Sequence, residues 1–223
     1  MNQGLLEHTT LTILVVDDHE LMLAGTIEPL KQQYPEAKII TSQTAEDTLN
    51  QVEIHHPELV ILDLAIPEKP GMTAETNTGI QVLRTLLKKK LNTNFVVLSS
   101  NAKKLVRIKY EILNYEGGGF TLADKSSIKD FLTKTDWALQ GVFHTRDVPE
   151  MRTEELRPEW LEVLELGSQG LQDKKIAECM HIADRTVWNY WHKIRDVFGV
   201  FPKDGDDRRV LTLRKAREMG FID

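Results

Sequence analysis

The chain is short of cysteine, of long apolar runs and of positive charge. Cys179 is the one cysteine among 223 residues, so no intramolecular disulfide forms. No apolar stretch approaches the roughly 18–20 residues that cross a bilayer. Met1 to Thr10 lacks the basic and apolar pattern of an export signal and reads as a loose tail. We therefore expect a cytoplasmic protein that does not meet the membrane. Lys and Arg number 28 against 34 Asp and Glu, a net charge of −6, so the whole chain is no general polyanion binder. The remaining composition, 41% hydrophobic and 28% charged, is ordinary for a globular protein with room for one large or two small cores.

What is present is a series of short apolar runs that end in chemistry. Leu59-Val60-Ile61-Leu62 runs into Asp63, as a strand buried on both faces would. Leu11-Thr12-Ile13-Leu14-Val15-Val16 ends in Asp17 and Asp18, and Asn94-Phe95-Val96-Val97-Leu98 ends in Ser99 and Ser100. A weaker run, Gly118 to Leu122, is followed by Lys125. Ligands of open parallel sheets bind at the carboxyl ends of strands. Parallel neighbours would thus gather three carboxylates, a hydroxyl and an ammonium on one edge, a set suited to a hard divalent cation and a phosphoryl group.

Between these runs the apolar spacing is helical at Leu21–Tyr34, Thr44–His56, Ile80–Leu87, Lys103–Asn114 and Ser127–Gln140, and Lys38–Thr41 reads as an edge strand. The alternation predicts a doubly wound, five-stranded parallel α/β sheet over residues 1–140. Residues 141–157 are polar and read as a linker. Residues 158–223 show no strand pattern. Helices are expected at Glu159–Leu166, ended by Gly167, then at Asp173–Met180, Asp184–Phe198 and Asp206–Met219. A short helix and a longer one joined by three residues form a helix-turn-helix pattern in an all-α four-helix domain. From Ser168 to Arg217 there are 11 Lys and Arg against 7 Asp and Glu, a net of +4 on an otherwise acidic protein, which hints at a nucleic-acid surface.

These residues resemble two known modules. Val16-Asp17-Asp18, Leu62-Asp63 with Pro67 four residues on, Leu98-Ser99 and Lys125 resemble a response-regulator receiver domain. Leu164-Glu165-Leu166, Gly170-Leu171, Lys175-Ile176-Ala177-Glu178, Ile182, Thr186-Val187 and Gly199-Val200 resemble a LuxR-type DNA-binding domain. The whole is similar to the NarL/FixJ class of two-component regulators. The resemblance implies a flavodoxin-like receiver in which Asp63 is the phosphoacceptor for a sensor histidine kinase. Asp17, Asp18, Asp63 and the main-chain carbonyl of Ala65 would hold Mg²⁺. Ser99 would bond the phosphoryl group, and Lys125 would pair with Asp63 or its phosphate. It also implies a transcription regulator rather than an enzyme, a homodimer when active, on double-stranded promoter DNA. Trp188, Asn189 and His192 would face bases, with Arg185, Thr186, Lys193 and Arg195 on the same interface. Asn bonds adenine in a bidentate way, and an indole can meet a thymine methyl.

The chain departs from that family in four places. Asp63 to Gly79 is about twice the usual loop, and its length and prolines make Pro67–Thr78 an expected lid. The family's switch aromatic, three residues before the lysine, is Leu122 here, with Phe120 five before. Ala183 stands where a serine usually caps the recognition helix, leaving Asp184 as a candidate cap. Trp188, Tyr190 and Trp191 occupy that helix, where basic or small residues are usual; Trp191 is expected in the core and Trp188 outside it. A silent receiver, working without phosphorylation through DNA or a protein partner, is the alternative. An aspartate-nucleophile phosphatase is disfavoured because Ala65 stands where its second aspartate belongs. His55-His56, Cys179, Lys88-Lys89-Lys90 and Gly117-Gly118-Gly119 read as a solvated cap, a packed small residue, a charged helix end and a turn.

Overall fold

The computed structural model describes residues 10–89, 91–99, 102–145, 157–203 and 205–223. Residues 1–9 of the expected tail, Lys90, Ser100, and 146–156 of the expected linker lie outside them. The chain divides into two compact units, Met1–Ser100 with Tyr110–Thr145, and Asn101–Lys109 with Arg146–Asp223.

In the first unit the apolar runs become strands β1 (Thr12–Val16), β2 (Lys38–Ser42), β3 (Leu59–Asp63), β4 (Asn94–Leu98), β5 (Phe120–Ala123) and β6 (Phe143–His144). All pair in parallel, in the order β2-β1-β3-β4-β5-β6. The helices are α1 (Glu20–Gln33), α2 (Ala45–His55), α3 (Thr76–Lys88), α4 (Lys109–Leu113) and α5 (Ile128–Leu139). β3 is central and buried along its whole length, as its unbroken apolar run requires. Ile13, Val15, Leu59, Ile61, Val96 and Leu98 pack with Leu23 and Leu30 of α1 and Phe131 and Ala138 of α5. The alternate residues of each strand point to the other face, the side of α2 and α3.

This is the expected doubly wound sheet with one strand more. β6 falls within the stretch expected to be linker. Its two residues pair with Phe120 and Thr121, too short a run to show a period of two in the sequence. Ala102–Ile108 is a 3-10 segment where an α-helix was expected. Leu105, Val106, Arg107 and Ile108 are buried in succession, which a one-sided α-helix cannot accommodate. α1 also contains Pro29, which the helical spacing alone did not flag.

The second unit holds α6 (Pro158–Ser168), α7 (Asp173–Met180), α8 (Asp184–Phe198) and α9 (Arg208–Glu218). Trp160, Val163, Leu164, Ile176, Val187, Trp191, Ile194 and Phe198 form its core. Gly167, expected to end α6, lies inside it. A Cβ there would stand 2.7 Å from the Trp191 ring, so the glycine lets that indole approach the α6 backbone. The helix instead gives way at Gly170, whose φ is +84°.

Candidate functional site

Asp17, Asp18, Asp63 and Ser99 stand at the carboxyl ends of β1, β3 and β4, and Lys125 follows β5 by two residues. Because the order of strands makes β1 and β3 neighbours, the first two acids meet the third across one strand spacing. Asp17 and Asp63 are 2% and 5% exposed. Lys125 Nζ bridges them, 2.5 Å from Asp63 Oδ2 and 3.2 Å from Asp17 Oδ2. The other Asp63 oxygen accepts from the Ala65 N–H at 3.2 Å. Asp17 Oδ1 accepts from the His19 N–H at 3.0 Å. Ser99 joins the same edge through its N–H, which donates to the Ala123 carbonyl.

The electrostatics follow from burial. Loss of water pushes the Asp63 carboxyl above the usual carboxylate range, and the Lys125 bond and charge pull the other way. Burial likewise opposes the charge on Lys125, but Asp63 and Asp17 outweigh it and hold the ammonium above its ordinary value. The pocket is therefore a nucleophile kept next to a fixed cation.

The donor set also fits a divalent ion. Donor atoms of Asp17, Asp18 and His19 lie within 4.8 Å of one another. Asp18 Oδ1 is buried and accepts no hydrogen bond. His19 Nδ1 lies 2.7 Å from it, out of hydrogen-bond alignment. Two carboxylates and an imidazole gathered this closely suit a divalent cation. His19 belongs to this cluster. At the position three before Lys125, Leu122 is buried within β5.

Two features of the first unit lie beyond what the sequence indicated. The long loop after Asp63 is a hairpin, closed by an antiparallel bridge between Ile66 and Glu75. Its far end leads into α3, where Gly79 is pressed against β3's exit; a Cβ there would stand 2.2 Å from the Leu64 carbonyl oxygen.

In the second unit α7 ends with His181 in the left-handed region, φ 54°, and the Ile182 N–H closes on the Ala177 carbonyl at 3.0 Å. α8 then starts at Asp184. Its cap is Ala183, with no side-chain bond, so Asp184 is the first helical residue and not the cap it was a candidate to be. Val187, Trp191, Ile194 and Phe198 face inward, which leaves Arg185, Trp188, Asn189, His192 and Lys193 exposed on the opposite stripe. Thr186 and Arg195 are half-buried at its margins. Trp188 is 53% exposed and its ring lies 5.6 Å from that of His192. Trp191 instead donates Nε1–H to Asp173 at 3.0 Å and stacks under Arg209, which also donates to Asp173. Asp173, Asp184, Arg185 and Trp188 line an open recess of about 420 Å³. Asp173 and Arg209, which no sequence pattern singles out, fix the indole that orients α8.

Two buried acids and a half-buried third, closed by a lysine on a doubly wound sheet and followed by a helix-turn-helix, define a receiver-bearing regulator. Residues 13–117 match the response regulator receiver domain family. The chain is 28% identical over 193 residues to the nitrate/nitrite response regulator protein NarL of Escherichia coli, covering 79% of this chain and 83% of that one. It is 23% identical over 227 residues to the DNA-binding transcriptional activator DevR/DosR of Mycobacterium tuberculosis, covering 93% and 94%. RcsB of Salmonella enterica, solved bound to a promoter in the presence of a phosphomimetic, shares the fold with a TM-score of 0.55 at 20% identity, over 92% of this chain and 98% of that one. Residues 13–117 thus form a receiver domain, and the chain is similar over most of its length to response regulators. Among the described residues no helix is long and apolar enough to cross a membrane.

Proposed function

We propose that Asp63 accepts a phosphoryl group from a sensor histidine kinase and that its phosphorylation switches DNA binding by α8. The observation that carries this reading is the ammonium of Lys125 held between two buried carboxylates. A carboxylate so placed attacks phosphorus without a general base. The Oδ–P bond of an acyl phosphate forms as the N–P bond of the donor phosphohistidine breaks, and that bond's electron pair returns to the imidazole nitrogen. Lys125 offsets negative charge on the group in transfer, and Ser99 bonds the phosphoryl oxygens once it arrives. Asp17, Asp18, Asp63 and the Ala65 carbonyl would hold Mg²⁺. When bound it supplies charge neutralisation for the phosphoryl oxygens and relieves repulsion among the acids.

In the second unit, we read α8 as the recognition helix of one half of a homodimer on a two-fold promoter site. Trp188, Asn189 and His192 face bases, and Arg185, Thr186, Lys193 and Arg195 meet the backbone. The regulator works in the cytoplasm and carries out no turnover beyond its own phosphorylation chemistry. The two carboxylates beside Trp188, Asp173 and Asp184, favour a second reading of that face as a protein-binding surface, since they repel phosphates. Labelling with a radioactive small phosphodonor in Mg²⁺ tests the first step. Asp63→Asn should abolish incorporation, and full labelling of that variant sinks the assignment. Selection of random duplexes on the phosphorylated protein tests the second. An enriched two-fold motif supports DNA; enrichment of nothing above background supports the protein-binding reading.

A further inference from the structure

We propose that the hairpin from Ile66 to Glu75 is a docking element for the phosphohistidine-bearing protein that donates to Asp63, not a lid over it. The inference rests on the reading of Asp63 as phosphoacceptor.

Three observations distinguish the two roles. The first is how the hairpin is held. Its base is closed by the Glu75 N–H donating to the Ile66 carbonyl at 3.1 Å, and its tip by the Met72 N–H donating to the Lys69 carbonyl at 3.1 Å. Its rising arm is fastened to α2. The Ala45 N–H donates to the Pro67 carbonyl at 2.9 Å and the Glu46 N–H to the Glu68 carbonyl at 3.2 Å. These are first-turn donors of α2 that have no partner within their own helix. Thr44 takes the Asp47 N–H, so loop and cap divide the helix's free donors between them. Lys69 adds an ion pair to Glu46 at 3.5 Å. A flap would have to break this set to move.

The second is what the hairpin leaves outside. Ile66 is fully buried, whereas Met72 at the tip is 54% exposed. The third is where it stands. The hairpin begins three residues after Asp63, at the carboxyl edge of the sheet. The same edge carries the starts of α1 and α5, and there Leu21, Met22 and Ile128 are also exposed, at 88%, 38% and 61%. The α1 and α5 starts lie on one face of the sheet, and the hairpin is tied to α2 on the other. Together they place apolar side chains on both sides of the approach to Asp63.

The occupant follows from the chemistry of the pocket. Asp63 is nearly closed to solvent, so a protein-bound imidazole reaches it only if the donor's own surface comes down on this edge. A small donor of a few atoms touches none of these side chains. The hairpin should therefore act on transfer from a protein and be indifferent to transfer from a small molecule.

The experiment measures both rates on the full-length protein. Protein transfer uses whichever purified, autophosphorylated histidine kinase of the source organism labels it fastest; small-donor transfer uses acetyl phosphate. Two variants are compared with wild type: Met72→Glu, which touches only an exposed tip, and replacement of Glu68–Ala74 by two glycines. Circular dichroism checks that each folds. The expected result is at least a ten-fold fall in kcat/KM for transfer from the kinase, with acetyl phosphate labelling within two-fold of wild type. Parallel changes with both donors would show a lid and overturn the proposal. So would unchanged kinase transfer in Met72→Glu, including the case where that variant alters only self-association or DNA affinity. Absence of label in the wild-type protein with either donor is a separate result, and removes the phosphoacceptor reading itself.

Discussion

In the first unit Asp17 and Asp63 are 2% and 5% exposed and share one ammonium; in the second Trp188 is 53% exposed and heads a stripe of solvated side chains. The pocket's residues act on one another, so their geometry already contains chemistry. The outward side chains of α8 make local contacts, such as Trp188 with His192 and His192 with Asp196. Their meaning lies in a partner, and only the register of the helix places them. The same difference sets what each mutation should do. A change in the pocket alters reactivity, a change under α8 alters folding, and a change on its outer face alters binding alone.

Short of replacing Asp63 itself, the largest effect on a rate should come from Lys125→Ala. It removes the cation that faces the reacting carboxylate, and loss of such a preorganised charge costs about 100-fold. Acetyl phosphate labelling in Mg²⁺ measures it; a rate unchanged from wild type would mean that the lysine is only an ion-pair partner. The next effect separates the two tryptophans of α8. Trp191→Ala should lose about 3–5 kcal/mol of stability, while Trp188→Ala should stay within about 0.5 kcal/mol and lose DNA affinity instead. Urea unfolding and fluorescence anisotropy on the same preparations test both halves. Equal destabilisation would erase the distinction between inner and outer stripes.

Two glycines compare the units at finer grain. Gly79→Ala forces a Cβ to 2.2 Å from a backbone oxygen, Gly167→Ala to 2.7 Å from a side chain that can shift. The first should cost more, within the range of about 1–3 kcal/mol for overpacking, and should also slow labelling because Leu64 adjoins Asp63. Tyr115 provides a control at the opposite edge of the sheet. Its hydroxyl donates to the Leu91 and Thr93 carbonyls, and burial holds its pKa up at about 12. Tyr115→Phe should cost about 1 kcal/mol without touching labelling. A raised folded pKa means the neutral phenol's contribution is whole below the unfolded value and fades as pH rises to the folded one. The gap between the two proteins in alkaline unfolding should accordingly narrow from about pH 10 upward. The smallest effect is Lys193→Ala, which should make the salt slope of DNA binding shallower by about 0.9, one phosphate contact.

The pocket was legible in the sequence because each of its parts ends an apolar run. Val16-Asp17-Asp18, Leu62-Asp63 and Leu98-Ser99 announce both the strand and the side chain that leaves it. Lys125 was legible only through its order after those runs, since it stands beyond the end of β5. The helix-turn-helix was legible in its periodicity, down to which tryptophan is inside. What escaped notice depends on contacts between distant residues. β6 is two residues long. The hairpin after Asp63 is fixed by main-chain bonds to α2, which no side-chain pattern records. Gly167 reads as a stop until Trp191 is placed against it, and Asp184 reads as a cap until the turn is seen to close on Ala183.

The central claim is that the charge state of Asp63 governs the face of α8. DNA affinity should be measured against the phosphorylated fraction of the protein, quantified by intact mass in the same samples, for wild type and Asp63→Asn. We predict that affinity for the selected duplex rises with that fraction in wild type and stays at the unphosphorylated level in Asp63→Asn at every donor concentration. Affinity that does not follow the phosphorylated fraction, or that rises equally in Asp63→Asn, would contradict the account.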